Sequence, residues 1–246
     1  MTDVPRSHPR YASLRLRDAI VHGIEIGITS PHGLIAHGRG EAFDYLIGEQ
    51  TNAFASQAIR VAVARLRTAR HPVLSINGNT AALVPDDIVR LSRALRAPIE
   101  VNIFHASTER ERAIAAHLQQ SGAETVLLPD PEVTLDHIDS NHRFVHPDGL
   151  AKADVVFVPL EDGDRCEALV RAGVEVITID LNPLSRTAQR ATITIVDNLS
   201  RAMPALVAEA MAVAATPASE LNALVEKCDN AAFLAAAIER IRAGVL

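Results

Sequence analysis

PVLSINGNTAALVPDDIVRLSRALRAPIEVNIF, running from Pro72 to Phe104, is the stretch that decides the fold class. Val73–Ile76 is a short apolar run. It is closed by Asn77, Gly78 and Asn79, residue types that turn a chain tightly, so it reads as a strand followed by a loop. Pro85, Asp86 and Asp87 put a proline and two acids where the first turn of a helix favours them. Ile99–Phe104 is apolar again and reads as a second strand. Strand, helix and strand within so short a span is the unit from which α/β folds with parallel sheets are built.

The alternation continues downstream. Thr108 with Glu111 has the spacing of a capping box, for a helix ending at Gly122. Glu124–Leu128 reads as a strand, and Asp154–Val158 and Glu175–Ile179 read as strands on either side of a helix ending near Gly173. Thr192–Val196 is a further strand. Leu181–Ala191 shows no clear helix, which leaves the direction of that last strand open. Residues 129–150 have no periodicity, and a loop of about twenty residues is usually a functional lid or a disordered segment.

Upstream, Leu16, Ile20, Ile24 and Ile28 recur at helical spacing, so Arg10 to Ile28 is predicted as an amphipathic helix with Arg10 and Arg17 on one face. Residues 30–49 are expected as a glycine-containing loop with short apolar pieces. Ile59, Ala62, Val63 and Leu66 mark a helix that must end before Pro72. From Ser200 onward the chain is Ala-rich and helical. Pro204 there requires a helix that starts near Ser200, because first-turn amides lack partners anyway. Pro217 separates another helix, and Asp229–Asn230 begins a last one. The chain is thus expected as a single α/β domain, 1–246, with 200–246 a helical extension.

Composition narrows the function. The 246 residues carry a formal net charge of -6 and only 3% aromatics, with no Trp. A nucleic-acid surface needs a basic stripe with stacking aromatics, so no nucleic-acid partner is expected. The only cysteines, Cys166 and Cys228, are too few for a disulfide framework and fit a reducing, cytoplasmic setting. Met1–Arg10 is polar and lacks a signal-peptide core, and Glu209, Glu220 and Glu226 interrupt the apolar C-terminal stretches, so no membrane association is expected.

In open α/β sheets ligands bind beyond the carboxyl ends of strands. That rule selects Asn77-Gly78-Asn79, either a plain turn or a set of donors for an anion. It also selects Glu161-Asp162-Gly163-Asp164, where Asp164 with Glu167 makes a helix cap while Glu161 and Asp162 suit Mg²⁺ or an ammonium group. Asp180 to Thr187 offers an acceptor for ribose hydroxyls and, in Arg186, a partner for phosphate. Asp197-Asn198 completes the set, or merely caps a helix. Gly38 and Gly40 flank Arg39 and permit close backbone approach, but no Walker A or dinucleotide fingerprint exists. Arginines must therefore handle any phosphate, and Arg6, Arg10, Arg15, Arg17 and Arg39 cluster towards the N-terminus. His137, His142 and His146, with Asp136 and Asp139, match no familiar metal-ligand spacing.

Five of these stretches together resemble one family: SHPRYASLRLRD from Ser7, GLIAHGRGEAFDYLIGE from Gly33, SINGNTAALVP from Ser75, VPLEDGDRCEAL from Val158 and IDLNPLSRTAQRATITIVDN from Ile179. The family is that of the archaeal phosphopantothenate synthetases, or 4-phosphopantoate–β-alanine ligases. The resemblance runs from about Pro5 to the C-terminus and is weakest at residues 129–142 and beyond Val213. It implies a Rossmann-like fold, a homodimer, the use of ATP and Mg²⁺, and a phosphopantoyl-adenylate that yields AMP and pyrophosphate in coenzyme A biosynthesis. It assigns ATP contacts to Arg17, Arg39, Asp180, Leu181, Asn182, Arg186, Thr187, Asn198 and Leu199. Arg39, His37, Glu161 and Asp162 are then the candidates for the chemistry, and Arg10, Asn77, Asn79 and Arg143 those for the acid substrate, with His37 a further candidate for its 4-phosphate. A small-molecule kinase or a nucleotide-binding regulator competes on the residues alone. A kinase releases ADP where the ligase releases AMP.

Overall fold

The computed structural model describes residues 4–104, 107–135 and 143–244. Three helices come first: α1 (Tyr11–Glu25), α2 (Pro31–Ile47) and α3 (Ala53–Thr68). β1 (Pro72–Ile76) leads through α4 (Gly78–Leu83) and α5 (Pro85–Leu95) to β2 (Ile99–Val101), and α6 (Thr108–Gln120) leads to β3 (Val126–Leu127). A ribbon of β4 (Asp130–Thr134) and β5 (Phe144–Val145) and a 3₁₀ turn (Leu150–Lys152) precede β6 (Val155–Phe157). Then come α7 (Gly163–Arg171), β7 (Glu175–Ile179), α8 (Arg186–Arg190) and β8 (Ile193–Ile195). The chain closes with α9 (Leu199–Ala212), α10 (Ala218–Val225) and α11 (Asn230–Ala243).

The main sheet has six strands in the order β3-β2-β1-β6-β7-β8, and every pairing is parallel. This is the doubly wound, Rossmann-like order, in which the chain runs outward from β1 and then returns to start again at β6. β8, whose direction the sequence left open, pairs parallel with β7, and the connection holds the short helix α8. Alternate strand residues serve different faces. Leu74, Ile76, Val155, Phe157, Ile177 and Ile179 join the larger core, to which α3, α5 and α9 contribute. Val73, Val156, Val158 and Val176 join a smaller one with Cys166 and Leu169 of α7 and Val145 of the ribbon. Near β2 this second face turns polar. Buried Glu100 accepts from His146 N at 3.0 Å and Leu150 N at 2.7 Å, and so fixes the base of the ribbon to the sheet.

Several expectations are corrected. Residues 30–49 are not a loop: Pro31 opens α2, and Gly48 ends it with a left-handed φ of 91°. Gly78, expected in a turn, is the first residue of α4, capped by Asn77. Ser107, not Thr108, caps α6, and Asp162, not Asp164, caps α7. Residues 130–134 and 144–145 pair as a ribbon rather than forming an aperiodic loop. Pro204 lies beyond the first turn of α9, where its ring removes the amide that would reach Ser200 O. Among the described residues, no helix is long and apolar enough to cross a membrane.

Candidate functional site

The reversal of strand order lies between β1 and β6, and the loops leaving these two strands are stitched together there. Asn77 Nδ2 donates to the carbonyls of Pro159 at 3.1 Å and Leu160 at 3.0 Å, while its Oδ1 accepts from Thr80 N. Leu160 is held at a φ of 55°, unusual for a branched side chain and the kind of local strain that clusters at ligand sites. Asn79 accepts from Thr29 Oγ1 and donates to Gly33 O at 2.9 Å, which fixes the start of α2 over the same point. Asn77 and Asn79 thus lie at this point, with both side-chain amides spent on holding loops.

α2 roofs a cleft with two adjoining lobes. The first, about 400 Å³, is bounded by His37, Arg39 and Gly40 of α2, by Leu160 to Gly163, by Asp180 to Asn182, by Ser185 to Thr187, and by Asn198 and Leu199. It gathers eight of the nine predicted nucleotide contacts. Arg17 is the exception. It lies in a shallow depression beyond His37, where it forms a two-pronged ion pair with Glu41. The second lobe, of similar size, is lined by Ile28, Thr29, His32, Asn102, Ile103, Phe104 and Arg110. Arg39, Asn79, Leu160, Glu161 and Asp162 border both lobes.

Within the first lobe the groups are ordered by short bonds. Asp180 accepts from Asn182 N at 2.9 Å and from Ser185 Oγ, which also caps α8. Burial pushes the Asp180 carboxyl above the usual range, against the pull of these donors and of Arg39. Thr187 Oγ1 donates to Glu161 O at 2.8 Å. Arg186 is 60% exposed and pairs with Asp164 and Glu167. Glu161 forms a buried pair with Arg165 at 2.6 Å, and Asp162 accepts from Arg165 N as the cap of α7. The Arg39 guanidinium makes no hydrogen bond or close ion pair with the described residues.

α2 is itself fixed by its polar underside. Glu41 accepts from Ser13, Arg17 and Tyr45, which together hold its carboxyl near 2 despite burial. Asp44 accepts from Asn198 Nδ2 at 2.7 Å and from Arg201 at 2.5 Å, and Arg201 also binds the fully buried Asp197. Burial lowers the pKa of His37, so its imidazole is neutral at pH 7.

Two predicted substrate residues are not brought to the cleft. Arg10 lies 3.7 Å from Glu41, and Arg143 stacks on the Phe144 ring in the ribbon, 4.9 Å from its centroid. Gly38 faces open space, whereas Gly40 adjoins Leu181. Of the histidine-rich stretch, Asp136, His137, Asp139 and His142 lie outside the described residues, and His146 Nδ1 accepts from Asp148 N. Among the described residues no group of three or more His, Cys, Asp or Glu is arranged to hold a metal ion. Arg110 and Arg201 were missed by the sequence reading. The strand predicted as Ile99–Phe104 stops at Val101, so Asn102 to Phe104 and the following helix belong to the carboxyl edge where ligands bind.

A doubly wound parallel sheet with a polar cleft at its switch point places the chain among Rossmann-like α/β proteins. Within that class it belongs to the phosphopantothenate/pantothenate synthetase family, whose model matches residues 54–244. It is 49% identical over 243 residues to the 4-phosphopantoate–β-alanine ligase of Thermococcus kodakarensis, covering 98% of this chain and 93% of that one. The ligase of Methanosarcina mazei is 50% identical over 242 residues, with 98% and 95% covered. That of Methanospirillum hungatei is 44% identical over 246 residues, with 99% and 98% covered.

Proposed function

We propose that this protein is an ATP-dependent ligase that joins 4-phosphopantoate to β-alanine, forming 4'-phosphopantothenate, AMP and pyrophosphate. The observation that carries the reading is Arg39, whose guanidinium makes no hydrogen bond or ion pair with the described residues and borders two lobes that sit at the switch point. One lobe takes the nucleotide and the other the acid. A substrate carboxylate oxygen attacks the α-phosphorus of ATP and pyrophosphate leaves. The β-alanine nitrogen then attacks the acyl carbonyl, and AMP leaves.

Two anions must meet, so positioning and charge neutralisation dominate the barrier. Arg39 neutralises charge where the two reactants meet, and Arg186, itself exposed, reaches phosphate by giving up its partners Asp164 and Glu167. Asp180 has two of its roughly four acceptor sites engaged and keeps capacity for ribose hydroxyls. Asn182, Leu181, Thr187, Asn198 and Leu199 complete the nucleotide wall. Glu161 is held in a buried pair with Arg165, and Asp162 and the neutral His37 are the groups that take the ammonium proton of β-alanine. Mg²⁺ typically binds through one or two carboxylates together with substrate phosphates and waters, and Asp162 fits that role without a preassembled cage. Bound there, it would shield phosphate charge.

The protein acts as a homodimer in the cytoplasm. Ile35, 65% exposed, and Leu46, 43% exposed, lie on one outward stripe of α2 and supply an apolar surface for the contact. The test is an end-point assay with ATP, Mg²⁺, 4-phosphopantoate and β-alanine. AMP formed only with both acid and amine supports the ligase; ADP, or no turnover, rejects it.

A further inference from the structure

The second lobe differs from the first in what lines it. Ile28, Ile103 and Phe104 are apolar, Arg110 and His32 are basic, and Arg39 stands where it opens to the nucleotide lobe. Arg110 is the third residue of α6, and its amide is engaged by the cap Ser107. Its guanidinium, like that of Arg39, makes no hydrogen bond or ion pair with the described residues. Of the other cations near the cleft, Arg17 and Arg10 are drawn to Glu41, Arg165 to Glu161, and Arg186 to Asp164 and Glu167. An exposed and a half-buried guanidinium, each without a partner among the described residues, stand around a lobe with Ile28, Ile103 and Phe104 on one part of its wall and Glu161 and Asp162 on another. The two cations and the apolar patch match a ligand with an anion at each end and a branched hydrocarbon between. 4-Phosphopantoate has that form: a carboxylate, a carbon bearing two methyl groups, and a terminal phosphate.

We propose that Arg110 is the specificity-determining residue for the substrate's phosphate. It pairs with the 4-phosphate in the second lobe, Ile28, Ile103 and Phe104 receive the dimethyl carbon, and the carboxylate is directed to Arg39 and the nucleotide. The proposal rests on the ligase reading and gives it an orientation. Arginine suits the role because its fork of donors meets phosphate in a bidentate way, whereas lysine offers only a point charge. The energy of this contact is present in both ground and transition states, so its loss falls on KM and not on kcat.

The test is steady-state kinetics of Arg110→Ala and Arg110→Lys with 4-phosphopantoate and with pantoate, beside thermal melts with each acid. Arg110→Ala is expected to raise KM for 4-phosphopantoate by about tenfold or more, with kcat within about threefold. The preference for 4-phosphopantoate over pantoate in kcat/KM should fall by the same factor, and Arg110→Lys should recover part of it. An unchanged KM, or equal losses for both acids, overturns the proposal. If the wild type forms no AMP, the ligase reading fails, and the melts still decide the subsite. Stronger stabilisation of wild type by 4-phosphopantoate than by pantoate, lost in Arg110→Ala, supports it. Equal stabilisation by the two acids rejects it.

Discussion

At the scale of single residues, the site separates groups that are committed from groups that are not. Arg39 has no hydrogen-bond or ion-pair partner among the described residues, so in the proposed role it would meet a phosphate without breaking such a bond to them. Arg39→Ala should lower adenylate formation by about 10²-fold or more while leaving the unfolding midpoint within experimental error, checked by pyrophosphate release and by calorimetry. Glu41 is the opposite case. Its carboxyl is depressed from 4.5 to about 2, so it stabilises the fold above its unfolded pKa and loses that contribution as pH falls towards 2. The shift sets an upper bound of roughly 3 kcal/mol. Urea titrations between pH 5 and 2 should show a shallower acid slope for Glu41→Gln than for the wild type. Cys166 is fully buried and its thiol is pushed up to about 12 by desolvation and nearby carboxylates. It should resist alkylation at pH 8 in the native protein and react once urea unfolds it, which mass spectrometry of the labelled peptide reads directly.

At the scale of elements, what was legible followed apolar period, and what was missed followed polar burial. β1, β6, β7 and β8 are short, branched and buried, and the sequence marks each to within a residue or two. α2 was missed because its inward stripe is His37, Glu41, Asp44 and Ile47, so no apolar repeat at 3.6 residues betrays it. The ribbon was missed because β4 is half-exposed and pairs with only a two-residue strand. Most of the residues that line the first lobe were legible, since they fall at strand ends; Arg17 and Arg143 were placed by resemblance or charge alone, which carries no distance. The polar underside of α2 has a testable consequence. Arg201 neutralises Asp44 and Asp197 together, and Asp44 in turn holds Asn198 at the first lobe, where the nucleotide is proposed to bind. Arg201→Ala leaves two buried carboxylates uncompensated and should cost about 3 kcal/mol in urea unfolding. It should also raise KM for ATP, whereas Arg67→Ala, remote from the cleft, should leave that KM unchanged.

At the scale of the whole molecule, the cleft and the apolar exterior share one helix. α2 turns His37 and Gly40 to the first lobe, buries Glu41 and Asp44, and leaves Ile35, Ala42 and Leu46 on its outer side. Val21, 42% exposed, and Ile26, 40% exposed, belong to α1 and the turn after it, and α1 packs beside α2. Exposed apolar residues scattered singly need no explanation, but a stripe along one helix marks a contact surface. A stable homodimer typically buries at least about 800 Å² per partner, a demand that two adjacent helices can meet. Light scattering should therefore give twice the 26.4 kDa chain mass. Ile35→Glu with Leu46→Glu should shift the mass to that of the monomer while far-ultraviolet circular dichroism stays unchanged, because both side chains point away from the core. Because Arg39 lies near this outer stripe, separation of the protomers should also free α2 to move, and KM for ATP should rise in the monomeric variant. A wild type that is monomeric at micromolar concentration, or a dimer that survives both charges, would remove this face of α2 as the interface.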